Sequence, residues 1–184
     1  MTAQEKLTAN VVVDTNPATG TAVAELSETN LEALPQMLAK AREAQAIWAA
    51  KSFKERARHI QMMRSYIVDR ADDLARIVSE SNGKTLTDAL ATEVLPCALA
   101  CNWYARNAEK HLKASRRAPG SLLFFNKRTE MLRLPLGVVG IISPWNYPLS
   151  IPFGEIVMGL MAGNAIILKV AAATPAVGRA IEQI

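Results

Sequence analysis

Four kinds of side chain in this 184-residue chain could do chemistry, and their settings differ. Asn146 stands in Ser143-Pro144-Trp145-Asn146-Tyr147-Pro148, a turn-forming run that comes after an apolar stretch. A side-chain amide carries two N–H donors that it does not give up. Held against an oxygen that gains negative charge, such a donor stabilises that charge without transferring a proton. The plainer alternative is an asparagine that supports the turn before Pro148. Lys169 closes a second apolar run, Ala165–Leu168, where an unpaired ammonium is costly, so its head must reach a crevice or the sheet edge. In a crevice it would bind hydroxyls or a phosphate. Cys97 and Cys101 are the only thiols. They fall on an apolar helical stripe, where cysteine behaves as a small hydrophobe, and their spacing matches neither a redox nor a metal motif. His59 and His111 lie beside basic residues on helical stretches and read as solvated.

The elements that must position Asn146 and Lys169 run from Pro135 to Lys169. Leu136–Ile142 and Ala165–Leu168 are apolar without alternation, which predicts strands buried on both faces. Between them, Ile156, Val157, Leu160 and Met161 recur at helical spacing in Ser150–Met161, with Gly163-Asn164 as a stop. Strand, helix, strand makes a βαβ unit with parallel strands. The loop with Asn146 then sits at the carboxyl end of the first strand, where open parallel sheets bind ligands.

Taken together, P-L-G-V-V-G-I-I-S-P-W-N-Y-P and A-G-N-A-I-I-L-K resemble the aldehyde dehydrogenase superfamily. From Asn16-Pro17-Ala18-Thr19-Gly20 onward the chain is similar to the amino-terminal half of that family. The resemblance implies a full-length activity: oxidation of an aldehyde to a carboxylic acid with NAD or NADP, through a thiohemiacetal on cysteine and hydride transfer to the nicotinamide. It assigns Asn146 to half of the oxyanion hole, Lys169 to the nicotinamide cofactor, and Ile142, Ser143, Pro144 and Trp145 to the lining of its adenosine side. Ala172 departs from the pattern, since many members carry there an acid that binds the adenosine ribose. Its absence removes a hydroxyl acceptor and a charge that repels a 2′-phosphate, so NADP use is plausible beside NAD. The family's cysteine nucleophile and general-base glutamate belong to later motifs absent from these residues. The chain is therefore expected to be the front portion of a longer protein, or a degraded gene product, and inactive by itself. The rival reading is a non-catalytic module that binds nucleotide or serves in assembly.

The remaining elements are expected in this order. Val11–Asp14 and Thr21–Leu26 form a hairpin around Asn16–Gly20. A helix spans about Leu31 to Ala49, with Leu34, Leu38, Ala41, Ile47 and Trp48 on one side, and Pro35 starts or kinks it. Ser52 and Glu55 make a capping box that opens a second helix to about Asp69, with Ile60, Met63 and Ile67 inward. A third helix covers about Asp72 to Ser81. A fourth runs from Thr85 to Leu112, bent at Pro96, with Leu90, Val94, Cys97, Cys101, Tyr104, Ala108 and Leu112 as its stripe. Leu122–Phe125 and Glu130–Leu134 read as strands around Asn126-Lys127-Arg128, and the resemblance makes this hairpin part of an oligomerisation element. Thr174 and Pro175 open a last helix.

The whole is an α/β fold: a partial Rossmann-like parallel sheet with covering helices and a projecting β-hairpin. Its expected parts are 1–121, an N-terminal hairpin and helices; 122–134, the oligomerisation hairpin; and 135–184, the truncated cofactor-binding βαβ core. The charge of +4 is mild, and Lys113-Ala114-Ser115-Arg116-Arg117 is the only dense basic run. No aromatic residues interleave with it, so nucleic-acid binding has little support. No run approaches the ~18 apolar residues of a membrane span. No apolar leader comes after Met1. A cytoplasmic protein without a membrane partner, forming a homo-oligomer at full length, is the expectation.

Overall fold

The computed structural model describes residues 11–118 and 120–184. The opening stretch, on which the expected absence of a leader rests, lies outside them. Strands β1 (Val11–Thr15) and β2 (Ala22–Ser27) pair antiparallel, Val11 opposite Ser27. Their turn is closed by the Asn16 side chain, whose Oδ1 accepts from the N–H groups of Ala18 and Thr19. A 3₁₀ turn at Leu31–Ala33 leads into α1 (Leu34–Ala49), with Pro35 in the first turn, where its missing N–H costs nothing. Pro35 thus starts the helix rather than kinking it. Of the five residues expected on its inward side, Leu38, Ala41 and Trp48 are half-buried, while Leu34 and Ile47 are exposed. The helix is held largely by polar ends: Trp48 Nε1 donates to the Leu160 carbonyl (2.8 Å) and Gln45 Nε2 to that of Gly163 (2.9 Å).

Helix α2 (Phe53–Asp69) opens on the full capping box of Ser52 and Glu55. It buries Ile60 and Ile67 against the later helices. Arg56 is buried too, its Nη1 donating to the carbonyls of Ala49 and Lys51, which ties the end of α1 to the start of α2. Helix α3 (Ala71–Asn82) ends at Gly83, whose φ of 82° is the left-handed cap conformation. A side chain on Gly83 would also stand 2.7 Å from Pro17 Cγ. Gly83→Ala is therefore expected to destabilise by about 1–3 kcal/mol. A urea midpoint unchanged from the parent would refute the close fit of hairpin and α3.

The long fourth helix is interrupted. Helix α4 (Leu86–Ala89), capped by Thr85, passes through a π turn at Leu90–Val94 into α5 (Leu95–Leu112). One extra residue in a turn rotates everything before it relative to everything after. This is why Leu90 is exposed, contrary to the expected stripe, while Ala89, Glu93 and Val94 are buried. From Val94 onward the stripe holds: Cys97, Cys101 and Ala108 are buried, and Tyr104 and Leu112 pack against them.

The projecting hairpin differs from expectation. Strands β3 (Ser115–Arg117) and β4 (Thr129–Met131) pair antiparallel, so the basic run supplies the first strand. Leu122–Phe124 forms a 3₁₀ turn instead of a strand, with Ser121 Oγ accepting from Leu123 N and the Ser121 carbonyl from Phe124 N. A serine that satisfies the backbone locally competes with a ladder.

Strands β5 (Val138–Ile142) and β6 (Ala165–Lys169) are parallel, Ile142 beside Lys169, and α6 (Ser150–Met161) joins them. Both α1 and α6 pack on this sheet. Only Ile141 of the two strands is fully buried, so the expectation of burial on both faces is not met among the described residues. Buried Asn164 locks the connection: its Oδ1 accepts from Gly137 N and its Nδ2 donates to the Gly159 carbonyl. Leu149, Phe153, Val157 and Met161 of the α6 region join Ile60, Ile67, Val78, Val94, Cys97 and Cys101 in one core.

Helix α7 (Pro175–Glu182) comes directly after Thr174, but the threonine hydroxyl does not cap it. The cap comes from Asp14 on β1, whose Oδ2 accepts from Ala176 N (2.9 Å) and from Ser81 Oγ (2.6 Å). A carboxylate is the better acceptor at the positive end of a helix.

Candidate functional site

The site lies where the backbone leaves β5. Ser143 N donates to the Lys169 carbonyl (2.9 Å), extending the parallel ladder one residue into the loop. This sets Ile142 and Ser143 beside Lys169 at the carboxyl edge of the sheet. Ile142 is 80% exposed, and Trp145, Asn146, Lys169 and Ala172 are exposed as well. Ser143 is buried and Pro144 half-buried. The edge therefore offers an apolar ledge, an ammonium and no carboxylate at Ala172. Those residue types suit the sugar and phosphate end of a dinucleotide.

Asn146 is exposed, and its Oδ1 accepts from Tyr147 N (3.1 Å), which leaves the two N–H groups of Nδ2 as the donors it can offer. The carbonyls of the same loop are taken by side chains from far back in the chain. Asn82 Nδ2 donates to the Trp145 carbonyl (2.8 Å) and Lys84 Nζ to the Asn146 carbonyl (2.7 Å). The Lys84 ammonium also stands 3.8 Å from the centre of the Tyr147 ring. Glu93, fully buried in the π turn, pairs through Oε1 with Lys84. Its Oε2 accepts from Leu149 N (3.1 Å) and Ser150 N (2.8 Å), at the start of α6. A negative group there meets both unpaired N–H groups and the helix dipole.

The structure places the expected residues Asn146, Lys169 and the ledge at one end of the sheet, and brings to the loop Asn82, Lys84 and Glu93, which sequence reasoning did not single out. The only signal available was a capped helix end at Asn82-Gly83 with a lysine next to it. Nothing in the periodicity announced a π turn or the partners of Glu93, which come from distant parts of the chain.

Both thiols are buried in the core. Burial pushes Cys101 up to about 11 and Cys97 higher still, with Cys101 and Glu93 adding to the rise at Cys97. A buried, protonated thiol is a poor nucleophile. Neither cysteine is expected to react with a thiol reagent at pH 8 until the chain unfolds; rapid native-state labelling would refute the packing of α5. Because the folded state keeps these protons longer than an unfolded thiol of pKa about 8.5, their contribution to stability is whole below that pH. It declines as pH rises toward 11. His59 and His111 are exposed, as expected. Among the described residues no group of three or more His, Cys, Asp or Glu could hold a metal, and no helix is long and apolar enough to cross a membrane.

Comparison with known proteins agrees with the architecture. The model of the aldehyde dehydrogenase family matches residues 3–184. An aldehyde dehydrogenase-like protein of Schizosaccharomyces pombe is 36% identical over 153 residues, covering 83% of this chain and 29% of that protein. A protein of Sinorhizobium fredii described as an NADP+ succinate-semialdehyde dehydrogenase is 32% identical over 166 residues, 90% of this chain and 33% of its own length. The crystal structure of an aldehyde dehydrogenase from Brucella melitensis biovar abortus 2308 superposes with a TM-score of 0.87 at 29% identity, covering 95% of this chain and 35% of that one. The chain thus spans about a third or less of the curated relatives it matches. With its parallel β5–α6–β6 unit, its Pro-Trp-Asn loop and these matches, the chain belongs to the aldehyde dehydrogenase family.

Proposed function

We propose that residues 1–184 form the amino-terminal, cofactor-binding part of an NAD(P)-dependent enzyme that oxidises an aldehyde to a carboxylic acid. The observation that carries the reading is the setting of Asn146. Its carbonyl is spent on Tyr147 N, and the exposed side chain keeps its amide N–H bonds for a partner in the loop beyond β5. There they can stabilise the negative oxygen of an adduct formed when a nucleophile attacks an aldehyde. Lys169 and the ledge of Ile142, Ser143, Pro144 and Trp145 would hold the adenosine half of NAD or NADP, which when bound supplies the hydride acceptor. The exposed Ala172 offers no carboxylate to a ribose hydroxyl and none to repel a 2′-phosphate. The S. fredii relative, described as an NADP+ enzyme, accords with acceptance of NADP at least as well as NAD.

The test uses a full-length protein containing this segment. Asn146→Ala is expected to lower kcat about 10²–10³-fold with the aldehyde KM little changed. A kcat within a factor of three of the parent would refute the donor role. In the same protein Ala172→Glu should shift kcat/KM toward NAD about tenfold, the worth of one hydrogen bond to a charged acceptor. An unaltered cofactor preference would refute the role of Ala172.

The buried thiols favour a second reading of residues 1–184 in isolation. With both thiols buried, the segment by itself is an assembly or nucleotide-binding module and is expected to form no NADH or NADPH from aldehydes. Its β3–β4 ribbon, with exposed Leu123, Phe124 and Phe125 next to it, would pair with a second copy. Sedimentation showing a monomer at high concentration would count against that pairing. A homo-oligomeric, cytoplasmic enzyme is the form in which these features fit together.

A further inference from the structure

Three side chains from one stretch, Asn82–Glu93, reach across more than fifty residues of chain to hold the Asn146 loop. Two of them, Lys84 and Glu93, form a connected device. The Glu93 carboxylate is fully buried, which is costly unless all its lone-pair directions are used. Here one oxygen takes the Lys84 ammonium and the other takes two N–H groups at the start of α6. The Lys84 ammonium, so anchored, directs its remaining donors to the Asn146 carbonyl and its charge to the face of Tyr147. The backbone on both sides of the Asn146 side chain is thereby fixed to α6 at one end and to the end of α3 at the other. An exposed loop without this device would sample many conformers, and its amide would lose its orientation.

We propose that Lys84 and Glu93 are positioning residues for the Asn146 amide. This rests on the reading of Asn146 as a polar donor. Neither residue touches substrate; each acts through the backbone of the loop.

The test is made on isotopically labelled residues 1–184, with no substrate or cofactor. The side-chain amide of Asn146 is identified by its loss in Asn146→Ala. In the parent, residues 145–147 and this amide are expected to be rigid, with order parameters near about 0.85. In Lys84→Met they should fall below about 0.6, while slow hydrogen exchange at Ile60 and Phe153 in the core is retained. Lys84→Arg should restore most of the order. Glu93→Gln should speed exchange at Leu149 and Ser150 on the order of tenfold or more. If Lys84→Met does not fold, Lys84→Gln, which keeps a neutral donor of similar reach, is read in the same way. Asn146 equally rigid in a folded Lys84 variant would overturn the proposal, as would disorder that appears only together with loss of core protection. An unchanged kcat in Asn146→Ala would instead remove the donor role and leave the order measurement intact, so the two readings fail separately.

Discussion

Replacing Glu93 with alanine is expected to destabilise the chain by about 3–5 kcal/mol, among the largest effects of any single change. Three losses add. The Lys84 ammonium, itself mostly buried at 17% side-chain exposure, is left without its counter-charge. The N–H groups of Leu149 and Ser150 lose their acceptor at the start of α6. A cavity opens in the π turn beside Val94 and Cys97. The double variant Lys84→Met/Glu93→Gln should be more stable than Glu93→Ala, because no lone charge remains and the glutamine oxygen still accepts at α6. Urea unfolding of the parent and both variants measures this. A cost under about 1 kcal/mol for Glu93→Ala would show that water or another group replaces the carboxylate.

Phe153→Ala is expected to cost a similar amount, about 3–5 kcal/mol, for a different reason. Among the described residues Phe153 is the largest side chain with no exposed surface, and it lies on α6 in the core with Ile60, Cys97 and Val157. Removing its ring forfeits the transfer of apolar surface and leaves a void that the surrounding helices close only in part. Phe125→Ala is the matched control. That ring is 83% exposed, so its loss should change stability by no more than about 0.5 kcal/mol. Thermal or urea unfolding of the two variants decides the matter. Equal effects would mean that the apolar segment after β3 is packed in solution and that the core around α6 is loose. Because α6 starts at the loop that carries Asn146, partial unfolding in Phe153→Ala should also speed hydrogen exchange at Leu149 and Ser150.

The local elements were set by the amino-acid order wherever one physical signal dominated. Ser52 and Glu55 can cap only a helix on their carboxyl side, and α2 begins there. Gly83 and Gly163 supplied left-handed φ values where helices had to stop. Two apolar runs flanking a helical pattern produced the parallel pair β5–β6, and that pair set Ile142 beside Lys169. The identity of the loop residues was enough to single out Asn146. Tertiary structure decided what local signals could not. The apolar Leu122–Phe125 run looks like a strand, yet β4 pairs with the basic segment at Ser115–Arg117, because a strand is made by its partner and not by its own residues. Thr174 looks like a cap, yet the Asp14 carboxylate, delivered from the other end of the chain by the β1–β2 hairpin, takes the place. Most consequentially, the fold brought the buried Glu93 of the π turn against Lys84 and the start of α6. A helical pattern read at about 3.6 residues per turn announces neither that turn nor those partners, which come from distant parts of the chain. The residue types of the loop were legible in the sequence; the side chains that hold its backbone, Asn82 and Lys84, were brought to it by the fold.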